Sequence, residues 1–249
     1  MKIKLIRNAT LQLNYGGKTF LIDPFLSTQG AMPAFPNSPH QDLRNPTAPL
    51  PVDAESLTDV DAVFITHLHP DHFDDEAKAV LAKETPLFAQ NEEDVRAVQD
   101  AGFTHVHSFQ NGVDIEGIRI TRTPGRHGSE EMTAITGKVS GLLFEADGEK
   151  SLYIAGDTVW YEEVEQTLAS RRPDVIVVNA GAAQFLEGGP ITMTKEDVTA
   201  AAQAAPESEI LAVHMESLNH CLLTREELKS YTSGYPSIHI PEDGETLTF

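Results

Sequence analysis

The chain has 249 residues, 40% of them hydrophobic, enough to bury a sizeable core in one large domain or two joined halves. Its 18 basic and 38 acidic residues leave a formal charge of −20, a field that repels phosphate backbones and anionic bilayers and argues against nucleic acid or a membrane as partner. A single cysteine, Cys221, excludes an intramolecular disulfide. No signal-peptide core is present, nor roughly 20 continuous apolar residues of a spanning helix, so the cytoplasm is the expected location.

In chain order, strand-like alternation or short apolar runs occur at Ile3 to Ile6, Leu11 to Tyr15, Thr19 to Ile22 and Ala62 to Thr66. They continue at His105 to Phe109, Ile118 to Thr123, Ser140 to Glu145, Ser151 to Ala155, Val175 to Asn179, Ile210 to Val213 and Ser237 to Ile240. Helical periodicity marks DDEAKAVLAK, NEEDVRAVQDAG, WYEEVEQTLASR, TKEDVTAAAQAA and TREELKSY, with Asn91, Thr194 and Thr224 placed as caps. Hairpin strands that give way to strands interleaved with helices predict an α/β or α+β sandwich of sheets covered by helices, in one domain over residues 1–249. Residues 27–57 carry Pro33, Pro36, Pro39, Pro46, Pro49 and Pro51, a density that rules out regular structure and suggests a lid, a dimer contact or a surface wrap.

The strand DAVFIT runs directly into His67-Leu68-His69-Pro70-Asp71-His72. Residues two apart in an extended segment point the same way, so His67 and His69 can face one metal ion. Pro70 favours a turn into an acidic helix beginning near Asp71, which brings Asp71 and His72 toward a neighbouring position. Imidazole and carboxylate at this density are costly to bury without a cation. His127, Asp157 and His214 each follow a predicted strand, and ligands at several strand ends can converge on one rim.

On these residues the chain resembles the metallo-β-lactamase fold superfamily: THLHPDH matches its H-x-H-x-D-H signature, and the later His, Asp and His fall at His127, Asp157 and His214. The segments RNATLQLNYGGKTFLIDP and HMESLNHC look like the branch that contains L-ascorbate-6-phosphate lactonase. The resemblance implies an αββα sandwich of two mixed sheets flanked by helices. It also implies two divalent metal ions, with His67, His69 and His127 on the first, Asp71, His72 and His214 on the second, and Asp157 bridging. The nitrogen and oxygen donors favour zinc and also admit manganese or iron. Such a pair activates water against a small ester-like substrate, a lactone, phosphodiester, thioester or amide, with Asp71 orienting the nucleophile and accepting its proton.

Asp23 is expected to support a ligand from behind. His220 is a candidate for substrate contact or ligand support, and Arg126 and Arg7 are each candidates to pair with a substrate anion, with a solvated surface arginine as the alternative for both. Trp160 and Tyr161 suit a pocket wall or helix packing, Cys221 suits packing, and His40, His105, His107 and His239 suit structure or surface. Two competing functions use the same donors: a di-iron redox enzyme, which would need an electron-carrier domain, and a nucleic-acid processing hydrolase, which the charge disfavours. The expected partner is a small molecule, with a homo-oligomer left open.

Overall fold

Alternating apolar residues at the start of the chain build an antiparallel meander in the computed structural model, which describes Met1–Phe249: β1 (Lys2–Arg7), β2 (Thr10–Tyr15) and β3 (Lys18–Ile22). Beyond the proline-rich excursion, β4 (Ala62–Ile65), α1 (Asp75–Val80), β5 (Leu87–Ala89), α2 (Glu92–Asp100) and β6 (Val106–Ser108) extend that sheet in parallel. A second sheet opens antiparallel with β7 (Val113–Ile115), β8 (Ile118–Pro124), the single turn α3 (Thr133–Thr136), β9 (Ser140–Glu145) and β10 (Leu152–Ile154). It turns parallel through α4 (Glu162–Arg171), β11 (Val175–Asn179), α5 (Lys195–Ala204), β12 (Glu209–Val213), α6 (Arg225–Tyr231) and β13 (Ile238–His239). β14 (Thr246–Thr248) returns to pair with β1. Each sheet therefore has seven strands, ordered β14-β1-β2-β3-β4-β5-β6 and β13-β12-β11-β10-β9-β8-β7.

Period-two alternation sends one side of each strand between the sheets and the other toward helices. The inner layer buries Leu5, Leu13, Phe20 and Phe64 of the first sheet against Ile120, Phe144, Val177 and Leu211 of the second. Phe20 and Phe64 each place a ring centroid 5.6 Å from that of Phe144, tilted or edge-on, the geometry aromatic quadrupoles prefer. Outside, α1 and α2 cover the first sheet through Ala77, Val95 and Val98. α4, α5 and α6 cover the second through Val164, Leu168, Val198, Ala201 and Leu228. This is the αββα sandwich expected, and no helix is long and apolar enough to cross a membrane.

The three caps form as read: the Asn91 side chain accepts from Glu93 and Asp94 N–H, and Thr194 and Thr224 close reciprocal capping boxes with Asp197 and Glu227. One expectation is corrected. The helix after Pro70 begins at Asp75, because Asp74 caps it by accepting from Ala77 N–H; Asp71 and His72 occupy a tight turn in which His72 N–H bonds His69 O at 2.9 Å. The strands β5, β7 and β14 have no counterpart among the expected runs; each is three residues long and is defined by its pairing with β4, β8 and β1.

The proline-rich segment contains only an isolated bridge, Met32 to Asn45, and a 3₁₀ turn at Ala54–Leu57. It is nonetheless firmly held. The guanidinium of Arg7, fully buried, donates to the carbonyls of Phe25, Ser27 and Ala48, and thus serves this backbone rather than a substrate anion. At the other edge Thr47 N–H bonds Ser217 O, and Asn219 ties down residues 35 to 45.

Loop closeness around β11 and β12 is strict at Gly181, where a Cβ would collide with His214 O and lie 2.8 Å from Cys221 Sγ. Gly181→Ala should therefore cost about 1–3 kcal/mol by overpacking, read as a lower melting temperature against wild type; an unchanged melting temperature would contradict this packing.

Candidate metal centre

Seven side chains meet where the strand ends of the two sheets come together. His67, His69, Asp71 and His72 follow β4 in the first sheet; His127, Asp157 and His214 follow β8, β10 and β12 in the second. Their donor atoms form two groups, His67-His69-His127 and Asp71-His72-Asp157-His214, each with donors within 4.8 Å of one another. Asp157 stands between them: Oδ2 lies 3.3 Å from His72 Nε2 and 3.5 Å from His127 Nε2, while Oδ1 lies 3.5 Å from His214 Nε2. Asp71 Oδ2 is 3.3 Å from His214 Nε2 and 3.6 Å from His72 Nε2.

The surroundings fix which nitrogen each ring presents. His72 Nδ1 donates to Asp23 Oδ2 at 2.8 Å, and His127 Nδ1 donates to Ile191 O at 2.8 Å, so both direct Nε2 inward. Thr66 Oγ1 gives its proton to Asp23 Oδ2 and can only accept from His67 Nδ1, at 3.1 Å, which turns His67 Nε2 inward too. His214 Nδ1 faces Cys221 Sγ at 3.5 Å. His69 is the exception, aiming Nδ1 at His67 Nε2 across 2.9 Å. On the acidic side, Asn179 Nδ2 donates to Asp157 Oδ1 at 2.6 Å.

Whether this donor set suits a cation can be judged from its electrostatics. Burial, with neighbouring His72 and His69, holds the His67 imidazole well below its usual range, so His67 Nε2 presents a lone pair where it meets His69 Nδ1 at 2.9 Å. Burial also opposes charge on His72, yet Asp157, Asp23 and Asp71 pull it up to about 10. Against the same burial, His72 and His214 keep the Asp71 carboxyl well below the ordinary carboxylate range. His72 Nε2 and His214 Nε2 are buried without a hydrogen-bond partner. Buried carboxylates that stay ionised and inward nitrogens left unpaired are what a divalent cation would satisfy, so the residues fit two ions.

A cavity of about 670 Å³ opens above the centre. Its floor carries His69, Asp71, His127 and Asp157, and its walls Phe35, Met132, Ile135, Phe185, Ile191 and His220. The aromatic and aliphatic wall residues were not singled out from sequence; they come from three separate loops with no shared motif. Arg126 does not reach the cavity, since its guanidinium lies 4.5 Å over the Tyr161 ring beside a separate groove. Trp160 and Tyr161 pack against the outer helices, and His239 pairs with Glu209 at the far edge of the second sheet.

The family described as beta-lactamase superfamily domain matches residues 18–215. The UPF0173 protein YddR of Bacillus subtilis is 46% identical over the full length of both chains. Among solved structures, an isothiocyanate hydrolase from Delia radicum gut bacteria superposes with TM-score 0.97 at 41% identity, covering 100% of this chain and 99% of that one. A structure described as a possible metal-dependent hydrolase from Veillonella parvula gives 0.97 at 36% identity, with the same coverage.

Two ions per chain are expected by elemental analysis after reconstitution. His67→Ala and His214→Ala should each lower that content, and Asp23→Ala should weaken affinity by roughly 10- to 100-fold by freeing the rings it orients. Equal metal content in all four proteins would contradict the assignment.

Proposed function

The chain belongs to the beta-lactamase superfamily domain family and is a metal-dependent hydrolase of the metallo-β-lactamase fold, and on that premise we propose that it hydrolyses a small uncharged electrophile carrying an apolar tail. The observation that carries this reading is the cavity: ligand-type side chains on the floor, aromatic and aliphatic walls, and neither Lys nor Arg in the lining. Beyond the ions themselves, a phosphorylated lactone or a phosphodiester would find no cationic side chain there and would face the Glu187 carboxylate, whereas an isothiocyanate, thioester or simple lactone would bury its tail among Phe35, Phe185 and Met132. Of these we place an isothiocyanate first, the substrate class named for the structural neighbour at 41% identity.

In this reading His67, His69 and His127 would hold one ion and Asp71, His72 and His214 the other, with Asp157 serving both and zinc favoured by the donors. When bound, the ions supply a water acidified toward neutrality and a Lewis acid for negative charge that develops at the attacked group. The chain supplies the rest. Asp71, on the cavity floor, orients the water and takes up its proton. The apolar walls exclude bulk water and hold the electrophilic carbon over the floor. For an isothiocyanate the water oxygen adds to the central carbon, the protons pass to nitrogen, and cleavage of the C–N bond releases an amine and carbonyl sulfide.

A panel of allyl and phenethyl isothiocyanates, lactones, thioesters and phosphodiesters, assayed with zinc, manganese and iron, tests the substrate. Turnover of the phosphodiesters alone would overturn it. Asp71→Asn keeps an oxygen donor and loses the base, so turnover should fall by roughly 10² to 10⁴. Recovery of wild-type turnover at saturating metal would reduce Asp71 to a ligand.

A further inference from the structure

His220 belongs to neither donor group, yet it lines the same cavity as His69, Asp71, His127 and Asp157 and is 6% exposed. Its ring is gripped from two sides. Phe35, from the proline-rich segment, meets it edge-on with centroids 4.8 Å apart, and Phe185, from the loop after β11, lies nearly parallel at 6.4 Å. The backbone is held as well: Gln184 N–H bonds His220 O at 3.1 Å.

The residue before it is fixed more completely still. Asn219 Oδ1 accepts from Phe35 N–H at 3.0 Å and from Asn45 Nδ2 at 2.9 Å. Its Nδ2 donates to Ser38 Oγ at 2.8 Å and Pro39 O at 2.7 Å, and its own N–H donates to Asn45 Oδ1 at 2.8 Å. An amide with every capacity filled leaves its neighbour little freedom to turn.

The imidazole so held has unspent hydrogen-bonding capacity. Nδ1 is sealed from solvent without a partner. Burial lowers the ring's pKa to about 4, so it is neutral and carries one proton. A buried N–H without an acceptor is rarer and costlier than a buried lone pair without a donor, which puts the proton on Nε2. The ring then offers one N–H donor between two aromatic wall residues, Phe35 and Phe185, in a lining that also carries Asn37, Thr136 and Glu187.

We propose that His220 is the substrate-anchoring residue of this cavity, donating from Nε2 to an acceptor atom bonded to the electrophilic carbon and so setting which face of that carbon meets the floor. A neutral donor suits an uncharged acceptor such as thiocarbonyl sulfur or carbonyl oxygen. This assignment rests on the hydrolase reading above and not on which member of the substrate class is correct.

The test compares wild type, His220→Leu and His220→Gln, all zinc-loaded, since Gln can place an amide N–H near the position of Nε2. Calorimetric binding of phenethylthiourea, a thiocarbonyl compound not expected to be hydrolysed, should weaken at least tenfold in the Leu variant and recover in large part in the Gln variant. Zinc content and melting temperature serve as controls for the metal centre and the fold. Long-range ¹H–¹⁵N spectra should show His220 as the neutral Nε2–H tautomer, shifted by the probe. kcat/KM for whichever panel substrate is turned over should follow the same order. Equal affinity and equal kcat/KM in the Leu variant and wild type, or a proton on Nδ1, would overturn the proposal. Failure of every isothiocyanate with retained thioester or lactone turnover overturns only the choice of substrate, and the variants are then read on the substrate that works.

Discussion

One carboxylate, Asp23, orders both halves of the centre. It is 1% exposed and accepts three hydrogen bonds: from Thr66 N–H to Oδ1 at 2.7 Å, from Thr66 Oγ1 to Oδ2 at 2.7 Å, and from His72 Nδ1 at 2.8 Å. Through Thr66 it sets the tautomer of His67, in one donor group, and directly it sets that of His72, in the other. A buried carboxylate is tolerated only with its lone pairs filled, so the position of Asp23 at the end of β3 dictates how β4 must leave the sheet. The four donor-bearing residues after β4 inherit that geometry.

The backbone bends to meet the same demand. Asp23, Asn8 and His214 all adopt left-handed conformations, with φ of 45°, 58° and 66°. For a non-glycine residue each such conformation costs on the order of 1–2 kcal/mol, and here they support one another. His214 N–H bonds Asn8 O at 3.0 Å, and Asn8 Nδ2 bonds the carbonyl of Asp71 at 3.1 Å. The turn between β1 and β2 thus spans the seam between the sheets, joining a donor-bearing residue of the second sheet to one of the first.

Much of this was legible beforehand because it is written in local pattern. The caps at Asn91, Thr194 and Thr224 and the long strands follow from period and from side chains that bond their own backbone. The six residues from His67 to His72 announce themselves by density. What escaped has a physical reason: β5, β7 and β14 draw their identity from neighbouring strands, not from their own three residues. Arg126 adjoins His127 in sequence, but successive residues point apart, and its guanidinium finds the Tyr161 ring instead. Phe35, Met132 and Phe185 meet only in space, and nothing in the order of the chain signals it.

The wall that carries Phe35 has a further consequence. It is borne on a segment outside both sheets, fastened by Arg7 to main-chain carbonyls and by Asn219 to Phe35 N–H, Pro39 O and the side chains of Ser38 and Asn45 alone. Anchors that grip main chain are indifferent to which side chains that main chain bears. Positions 36 and 37, which line the cavity and serve none of these anchors, can therefore drift over generations while Phe35 keeps its grip on His220, so that the molecule can acquire a new diet without relearning its reaction.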